Sequence, residues 1–192
     1  MTYPIQPLQA VLSAVVFASK KHSNHRRMGI AAEPYINHLV EVGALVAGAL
    51  SEPDTNLVIA ALLHDTIEDA GVTIEELTQH FGPDVAGLVA EVTDDKSLPK
   101  QERKRLQTLN APLKSERAQM IKIADKISNL RSLQCSPPVG WDSERKTEYV
   151  RWAKQVVGGL TRPNPILLTE FDAIVETFNP ASRADRVGWC VL

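Results

Sequence analysis

The adjacent pair His64-Asp65 lies in the segment 61–69, and two more carboxylates, Glu68 and Asp69, follow it within one helical turn. Successive helix residues are about 100° apart, so a helix here places an imidazole and three carboxylates along one edge. Packing alone does not explain this edge, because clustered carboxylates repel one another and are costly to bury without a cation. A lone His-Asp pair is more often an exposed helix end with a hydrogen-bonded core histidine, but the accompanying residues favour a metal site.

Two distant residues can complete a set of metal ligands. Asp125 lies among apolar residues of the helical segment 118–133, so its carboxylate is expected to face inward or into a cleft. A buried carboxylate needs a partner, and a metal ion is a strong one. The alternative partner is Lys122 or Arg131 in a salt bridge. His38 lies near the start of a predicted helix, where a histidine without this company would be a capping or surface residue.

Two histidines and two aspartates suit a first-row divalent ion such as Mn²⁺, Fe²⁺ or Co²⁺, with positions left open for water. Such an ion would bind a phosphate and lower the pKa of bound water, while a nearby carboxylate moves protons. A basic run with interspersed histidines precedes these residues. An isolated charge run is as often a solvated face, but beside a metal site we interpret this one as a phosphate clamp. It comprises Lys20, Lys21, Arg26 and Arg27, with His22 and His25 between them.

The segments that must position these groups are helical almost throughout. Apolar residues recur at helical spacing, and the third predicted helix runs unbroken from about residue 57 to residue 69. A capping box at Thr73 and Glu76 begins the next one. No segment alternates with a period of two, so we predict an all-α fold of about eight to ten helices. We expect a single domain over residues 1–178 and a poorly structured C-terminal tail over residues 179–192.

The composition limits the classes of function. The chain has 192 residues, 44% of them hydrophobic, and a net charge of -2, which gives no bulk electrostatic case for nucleic-acid or membrane binding. Two cysteines do not make a disulfide framework, and we expect Cys135 and Cys190 to be reduced thiols. No segment has the pattern of a signal peptide or of a membrane span. We therefore expect a cytoplasmic protein without nucleic-acid or membrane partners, and we assign no oligomeric state.

The motifs resemble the hydrolase half of the RelA/SpoT enzymes, and especially the small alarmone hydrolases that include the metazoan SpoT homologue. The resemblance covers roughly residues 8–178. A bare His-Asp pair would be weak support, but several segments in this order are specific. The matching segments are His25-Arg26-Arg27, the stretches 33–38, 60–69, 91–96 and 122–131, and Trp141 with the stretch 148–153.

This resemblance implies an HD-domain helical bundle and Mn²⁺-dependent removal of the 3′-pyrophosphate from the alarmones ppGpp and pppGpp. The products would be GDP or GTP and pyrophosphate, which ends the stringent-response signal. It implies metal ligation by His38, His64, Asp65 and Asp125. It also implies catalysis by Glu68 and Asp69, and substrate contacts from Arg27, Asn129 and Tyr149.

Two other functions remain open at this point. Close relatives often carry a second basic residue after the position of Arg27, whereas this chain has Met28. This difference leaves room for another nucleotide substrate, such as the 2′-phosphate of NADPH. A catalytically inactive nucleotide sensor is the third hypothesis. It is disfavoured because competent residues occupy every ligand and acidic catalytic position.

Overall fold

The computed structural model describes residues 6–179, which contain ten α-helices, one 3₁₀ helix at Ala111–Leu113 and no β-strand. The predicted all-α fold is confirmed. The division into a domain over 1–178 and a tail stays a prediction, since most of the tail lies outside the described residues. The helices are α1 (Pro7–Lys21), α2 (Ile36–Gly48), α3 (Thr55–Leu63), α4 (Thr66–Ala70), α5 (Ile74–Phe81), α6 (Pro83–Val92), α7 (Lys100–Asn110), α8 (Glu116–Cys135), α9 (Ser143–Gly158) and α10 (Pro165–Glu176).

Helix α8 is the long central element of the bundle. It packs against α2, α6, α9 and α10, while α3 packs against α1, α2 and α6. The apolar face of α8 is fully buried at Ile121, Ile123, Ile127 and Leu130. Burying each such side chain contributes about 1.5–3 kcal/mol to the stability of the fold. Helix α8 therefore holds in place the helices that pack against it and the site residues that they carry.

The predicted third helix is divided in two, and this corrects the expectation of an unbroken helix over 57–69. Helix α3 ends at Leu63, His64 and Asp65 form a turn, and α4 begins at Thr66. Local hydrogen bonds hold this turn. The Thr66 hydroxyl donates to the Leu63 carbonyl at 2.6 Å, and His64 Nδ1 bonds the Ala61 carbonyl at 2.8 Å. Side chains that bond nearby carbonyls compete with the regular helical pattern.

The helix ends follow their capping residues. Thr73 accepts a hydrogen bond from the backbone of Glu76 at 3.1 Å, which is one half of the predicted capping box. The Glu76 carboxylate instead pairs with Lys21 at 2.8 Å and so ties α5 to α1. Helix α4 stops at Gly71, whose φ of 66° is the left-handed conformation that glycine adopts without strain.

Two further expectations from composition can be compared with the structure. No helix between residues 6 and 179 is both long and apolar enough to cross a membrane. The expectation of a reduced thiol at Cys135 is wrong, because the described part of the chain contains no free cysteine. Cys190 lies outside the described residues. The cytoplasmic location stays a prediction.

Close packing between α2 and α3 yields a stability prediction. A Cβ added at Gly43 would lie 2.8 Å and 2.9 Å from two carbon atoms of Leu62. We expect Gly43→Ala to lower the free energy of unfolding by about 1–3 kcal/mol through overpacking, as measured by chemical denaturation. Gly48→Ala, at the end of the same helix, meets nothing within 4 Å and is the matched control. An equal loss in both variants would contradict this account.

Candidate metal centre and nucleotide cleft

Four side chains from three parts of the chain converge on one point. They are His38 from α2, His64 and Asp65 from the α3–α4 turn, and Asp125 from α8. Asp65 Oδ2 lies 3.1 Å from His64 Nε2 and 3.6 Å from His38 Nε2. Asp125 Oδ1 lies 3.5 Å from His38 Nε2 and 3.9 Å from His64 Nε2. The structure thus brings together all four residues that were predicted as metal ligands.

Hydrogen bonds fix which nitrogen of each imidazole faces this point. The Ser128 hydroxyl donates to the Glu41 carboxylate at 2.6 Å, so its oxygen is left to accept from His38 Nδ1 at 2.8 Å. The Ala61 carbonyl can only accept, so it receives its hydrogen bond from His64 Nδ1. Both histidines are therefore assigned as Nδ1–H tautomers that present Nε2 to the carboxylates, as metal-binding histidines do.

The two carboxylates are mostly buried and strongly compensated. Burial alone would raise the pKa of the Asp125 carboxyl, but the Lys126 ammonium at 2.8 Å and His38 hold it well below its usual range. Asn129 also donates to Asp125 Oδ1, at 2.5 Å. The pKa of Asp65 is likewise held well below its usual range, since His64 and His38 outweigh its burial.

The donor set fits a divalent metal ion. Ligand bonds of about 2.0–2.2 Å place neighbouring donor atoms roughly 3–4 Å apart, which is the spacing found here. His64 Nε2 is buried and, within residues 6–179, has no hydrogen-bond partner. Burial alone would lower the pKa of His64, yet Asp65 and Asp125 raise it to about 9. The two carboxylates therefore stabilise a positive charge at His64 Nε2. A proton and a metal ion would compete for the lone pair of that nitrogen.

The predicted catalytic carboxylates, Glu68 and Asp69, lie beside this centre on α4. Burial raises the pKa of the Glu68 carboxyl, and the carboxylates of Asp65 and Asp94 raise it further. Glu68 also accepts long hydrogen bonds of 3.3 Å from Arg103 and from the backbone of Asp94. Asp69 is more exposed and pairs with Lys96. Glu68 is therefore the better-enclosed proton acceptor of the two.

A cleft of two adjoining cavities opens from the metal centre. The inner cavity, of about 220 Å³, is lined by His64, Asp65, Asp125 and both α4 carboxylates. The outer cavity, of about 230 Å³, has a largely apolar and aromatic wall that includes Met28, Pro138 and Trp141. The two cavities share one wall, formed by Tyr35, Lys100, Lys104, Asn129 and Tyr149.

The residues predicted to contact substrate all reach this cleft. Arg27 lines the outer cavity with its guanidinium 5.9 Å above the Tyr35 ring. Tyr149 belongs to the shared wall, and its ring packs against Trp141 at 5.8 Å between centroids. Asn129 belongs to the same wall, and its amide also positions the carboxylate of Asp125.

The predicted phosphate clamp is only partly assembled. Arg26 and Arg27 line the outer cavity, but Lys21 pairs with Glu76 and Lys20 lines neither cavity. The two pairs differ because both lysines belong to the last turn of α1, whereas the arginines lie in the loop that follows this helix. His22 is buried, with only 2% of its surface exposed.

The structure adds cations that the sequence interpretation missed. Lys122 and Lys126 are almost fully buried and line the inner cavity, although each lies on an otherwise apolar stretch of α8. The sequence pattern that could have indicated them is a pair of lysines, four residues apart, beside an aspartate that was predicted to be buried. Lys100, Arg103 and Lys104 reach the cleft from α7, a highly charged helix that buries no residue.

Comparisons with known proteins agree with this architecture. The HD domain family matches residues 14–154. The guanosine-3′,5′-bis(diphosphate) 3′-pyrophosphohydrolase MESH1 of Xenopus tropicalis is 48% identical over 162 residues, which are 84% of this chain and 90% of that protein. MESH1 of Drosophila melanogaster is 46% identical over 173 residues, covering 90% and 95%.

A solved structure is similar over nearly the whole fold. It is described as a metazoan ortholog of SpoT that hydrolyzes ppGpp and plays a role in starvation responses. It superposes with a TM-score of 0.85 at 44% identity, over 93% of this chain and 99% of that one. The chain therefore belongs to the HD-domain family. Within that family it belongs to the metazoan SpoT homologue group, as the sequence motifs predicted.

The candidate ligand set predicts the effect of removing Asp125. We expect Asp125→Ala to reduce Mn²⁺ binding below detection in isothermal titration, because a ligand is lost and the Lys126 ammonium remains nearby without its carboxylate. Asp172→Ala, on the exposed side of α10, is the control and should bind as the wild type does. Wild-type affinity in the Asp125 variant would contradict the assigned ligand set.

Proposed function

We propose that the chain is a metal-dependent guanosine-3′,5′-bis(diphosphate) 3′-pyrophosphohydrolase, which converts ppGpp or pppGpp to GDP or GTP and pyrophosphate. One observation carries the proposal. Two histidines and two mostly buried aspartates meet at the end of a cleft whose walls combine cations and aromatic rings. Relatives that carry this enzyme name are 46–48% identical over most of the chain. This activity ends the stringent-response signal.

The cleft suits a nucleotide with phosphates at one end. The inner cavity would hold the 3′-pyrophosphate, near Lys122 and Lys126. Lys100 and Lys104 on the shared wall would neutralise charge between the two cavities. The outer cavity would hold the nucleoside, where the base can pack against Tyr149 and Trp141 and the phosphates of the 5′ side can reach Arg27.

His38, His64, Asp65 and Asp125 would hold the metal ion, which when bound polarises a phosphoryl oxygen and acidifies water. We propose Mn²⁺ because the set contains two carboxylates and no thiolate, a composition that suits this ion. Glu68 orients the attacking water and takes its proton through the carboxylate held by Arg103. Asp69, paired with Lys96, completes the acidic edge beside it.

A second candidate substrate is the 2′-phosphate of NADPH. Met28 favours it, because this residue is 72% exposed and lines the outer cavity beside Arg27. An apolar side chain there offers no charge to a phosphate and can instead contact an uncharged ring. The same metal centre would serve either phosphohydrolase.

The acidic edge gives the first test of this mechanism. We expect Glu68→Ala to retain Mn²⁺ and to lose about 10²–10⁴-fold in kcat for ppGpp, because a general base is removed. Asp69→Ala should also keep the metal and lose most activity. Glu75→Ala, an exposed position on α5, serves as the control. Wild-type turnover in the Glu68 or Asp69 variant would refute the assigned roles.

A substrate panel gives the second test. ppGpp, pppGpp and NADPH are incubated side by side with one Mn²⁺-loaded preparation, and products are separated by chromatography. We expect GDP and pyrophosphate from ppGpp at the highest kcat/KM. Release of phosphate from NADPH alone would favour the second candidate. A chain that is purified without metal, binds guanine nucleotide and turns over none of the three substrates would be a sensor instead.

A further inference from the structure

The phenol of Tyr35 makes a hydrogen bond to a residue of the candidate metal centre. Its hydroxyl donates to Asp65 Oδ2 at 2.7 Å. That oxygen is also the one nearest the Nε2 atoms of His64 and His38. A carboxylate oxygen has two lone pairs, so one can accept from Tyr35 while the other faces the metal centre.

We propose that Tyr35 is a positioning residue for the metal ligand Asp65, an inference that rests on the proposed metal centre. Asp65 needs such a partner because it lies in the turn between α3 and α4, outside regular helix. Asp125, by contrast, lies within α8 and is held by both Lys126 and Asn129. A phenol hydroxyl is a hydrogen-bond donor and a carboxylate can only accept, so the proton of this hydrogen bond comes from Tyr35.

Two histidines, His22 and His25, pack against the Tyr35 ring. The His22 imidazole stacks on it at 5.2 Å between centroids and 15° between planes. His22 is itself fixed, because its Nδ1 lies 2.9 Å from His25 Nδ1 in a shared hydrogen bond. Its Nε2 is buried and bonds no atom of the described chain. The imidazole of His22 does not complete its own hydrogen bonds. Its contribution to Tyr35 is therefore the packing of one ring on the other.

The loop that carries Tyr35 also carries a cleft cation. The backbone of Tyr35 donates to the His25 carbonyl at 3.1 Å, and that of Arg27 donates to the Glu33 carbonyl at 2.9 Å. These bonds close the loop between α1 and α2 into a small hairpin. One hydrogen-bonded unit thus holds the phenol against Asp65 and presents Arg27 to the outer cavity.

Metal affinity of the apo protein tests the role of Tyr35. Mn²⁺ is titrated calorimetrically into chelator-treated wild type, Tyr35→Phe and Tyr149→Phe. We expect Tyr35→Phe to bind Mn²⁺ about 10–100-fold more weakly, as is typical when a partner of a ligand is lost. Tyr149→Phe also removes a phenol hydroxyl from the cleft, but this hydroxyl does not bond Asp65. The Mn²⁺ affinity of this control should stay within about 3-fold of the wild type.

A pair of variants at His22 tests the stacking contact. His22→Phe keeps an aromatic ring against Tyr35 and should retain Mn²⁺ affinity within about 3-fold, whereas His22→Ala should lose about 10-fold. The melting temperature of each apo protein is measured in parallel. A loss of affinity in His22→Ala that His22→Phe restores, at comparable melting temperature, supports positioning through the ring.

Four outcomes would overturn the inference. An unchanged Mn²⁺ affinity in Tyr35→Phe removes the special role of Tyr35, and so does an equal loss of affinity in both tyrosine variants. Equal losses in both His22 variants would show that the ring contact does not matter. A wild-type protein that binds no Mn²⁺ would overturn the proposed function together with this inference, so the two failures are distinguishable.

Discussion

Asp65 and Asp125 bring two carboxylates into a mostly buried site, with side chains only 17% and 13% exposed. Leaving such charges uncompensated would cost several kcal/mol each. Cationic and hydrogen-bond-donating groups next to the two carboxylates compensate their negative charge. These groups are the imidazoles, the Lys126 ammonium, the Asn129 amide and the Tyr35 phenol. One position, at the Nε2 atoms of His38 and His64, is left for a cation. The bundle holds these groups in place through the packing of α2 and α3 on α8.

Much of this site could be predicted from the sequence because its residues combine types that packing does not explain. His64 and Asp65 gained significance from Glu68 and Asp69, and the distant His38 and Asp125 supplied the other donors. The turn between α3 and α4 could not be predicted, since apolar spacing continues through it. The break depends on hydrogen bonds from His64 and Thr66 to specific carbonyls, which residue propensities do not reveal.

The walls of the cleft were harder to predict for a different reason. Helix α7 carries mostly charged and polar residues and buries none of them, so its sequence is typical of a solvated helix. Its inner face lines the cleft, where Arg103 pairs with Glu68 and Lys104 lies 4.7 Å from the centre of the Trp152 ring. Charge complementarity across a cleft is a tertiary property. The same holds for His22, which looked like part of a basic run and is buried against Tyr35.

We propose that two imidazoles and two carboxylates, carried by the α3–α4 turn, α2 and α8, bind one metal ion. X-ray absorption spectroscopy of the Mn²⁺-loaded protein tests it most directly. We predict one ion per chain, with two nitrogen ligands from histidine and oxygen ligands from carboxylates and water. An ion coordinated by oxygen alone, as the acidic edge at Glu68 and Asp69 would provide, would contradict this account.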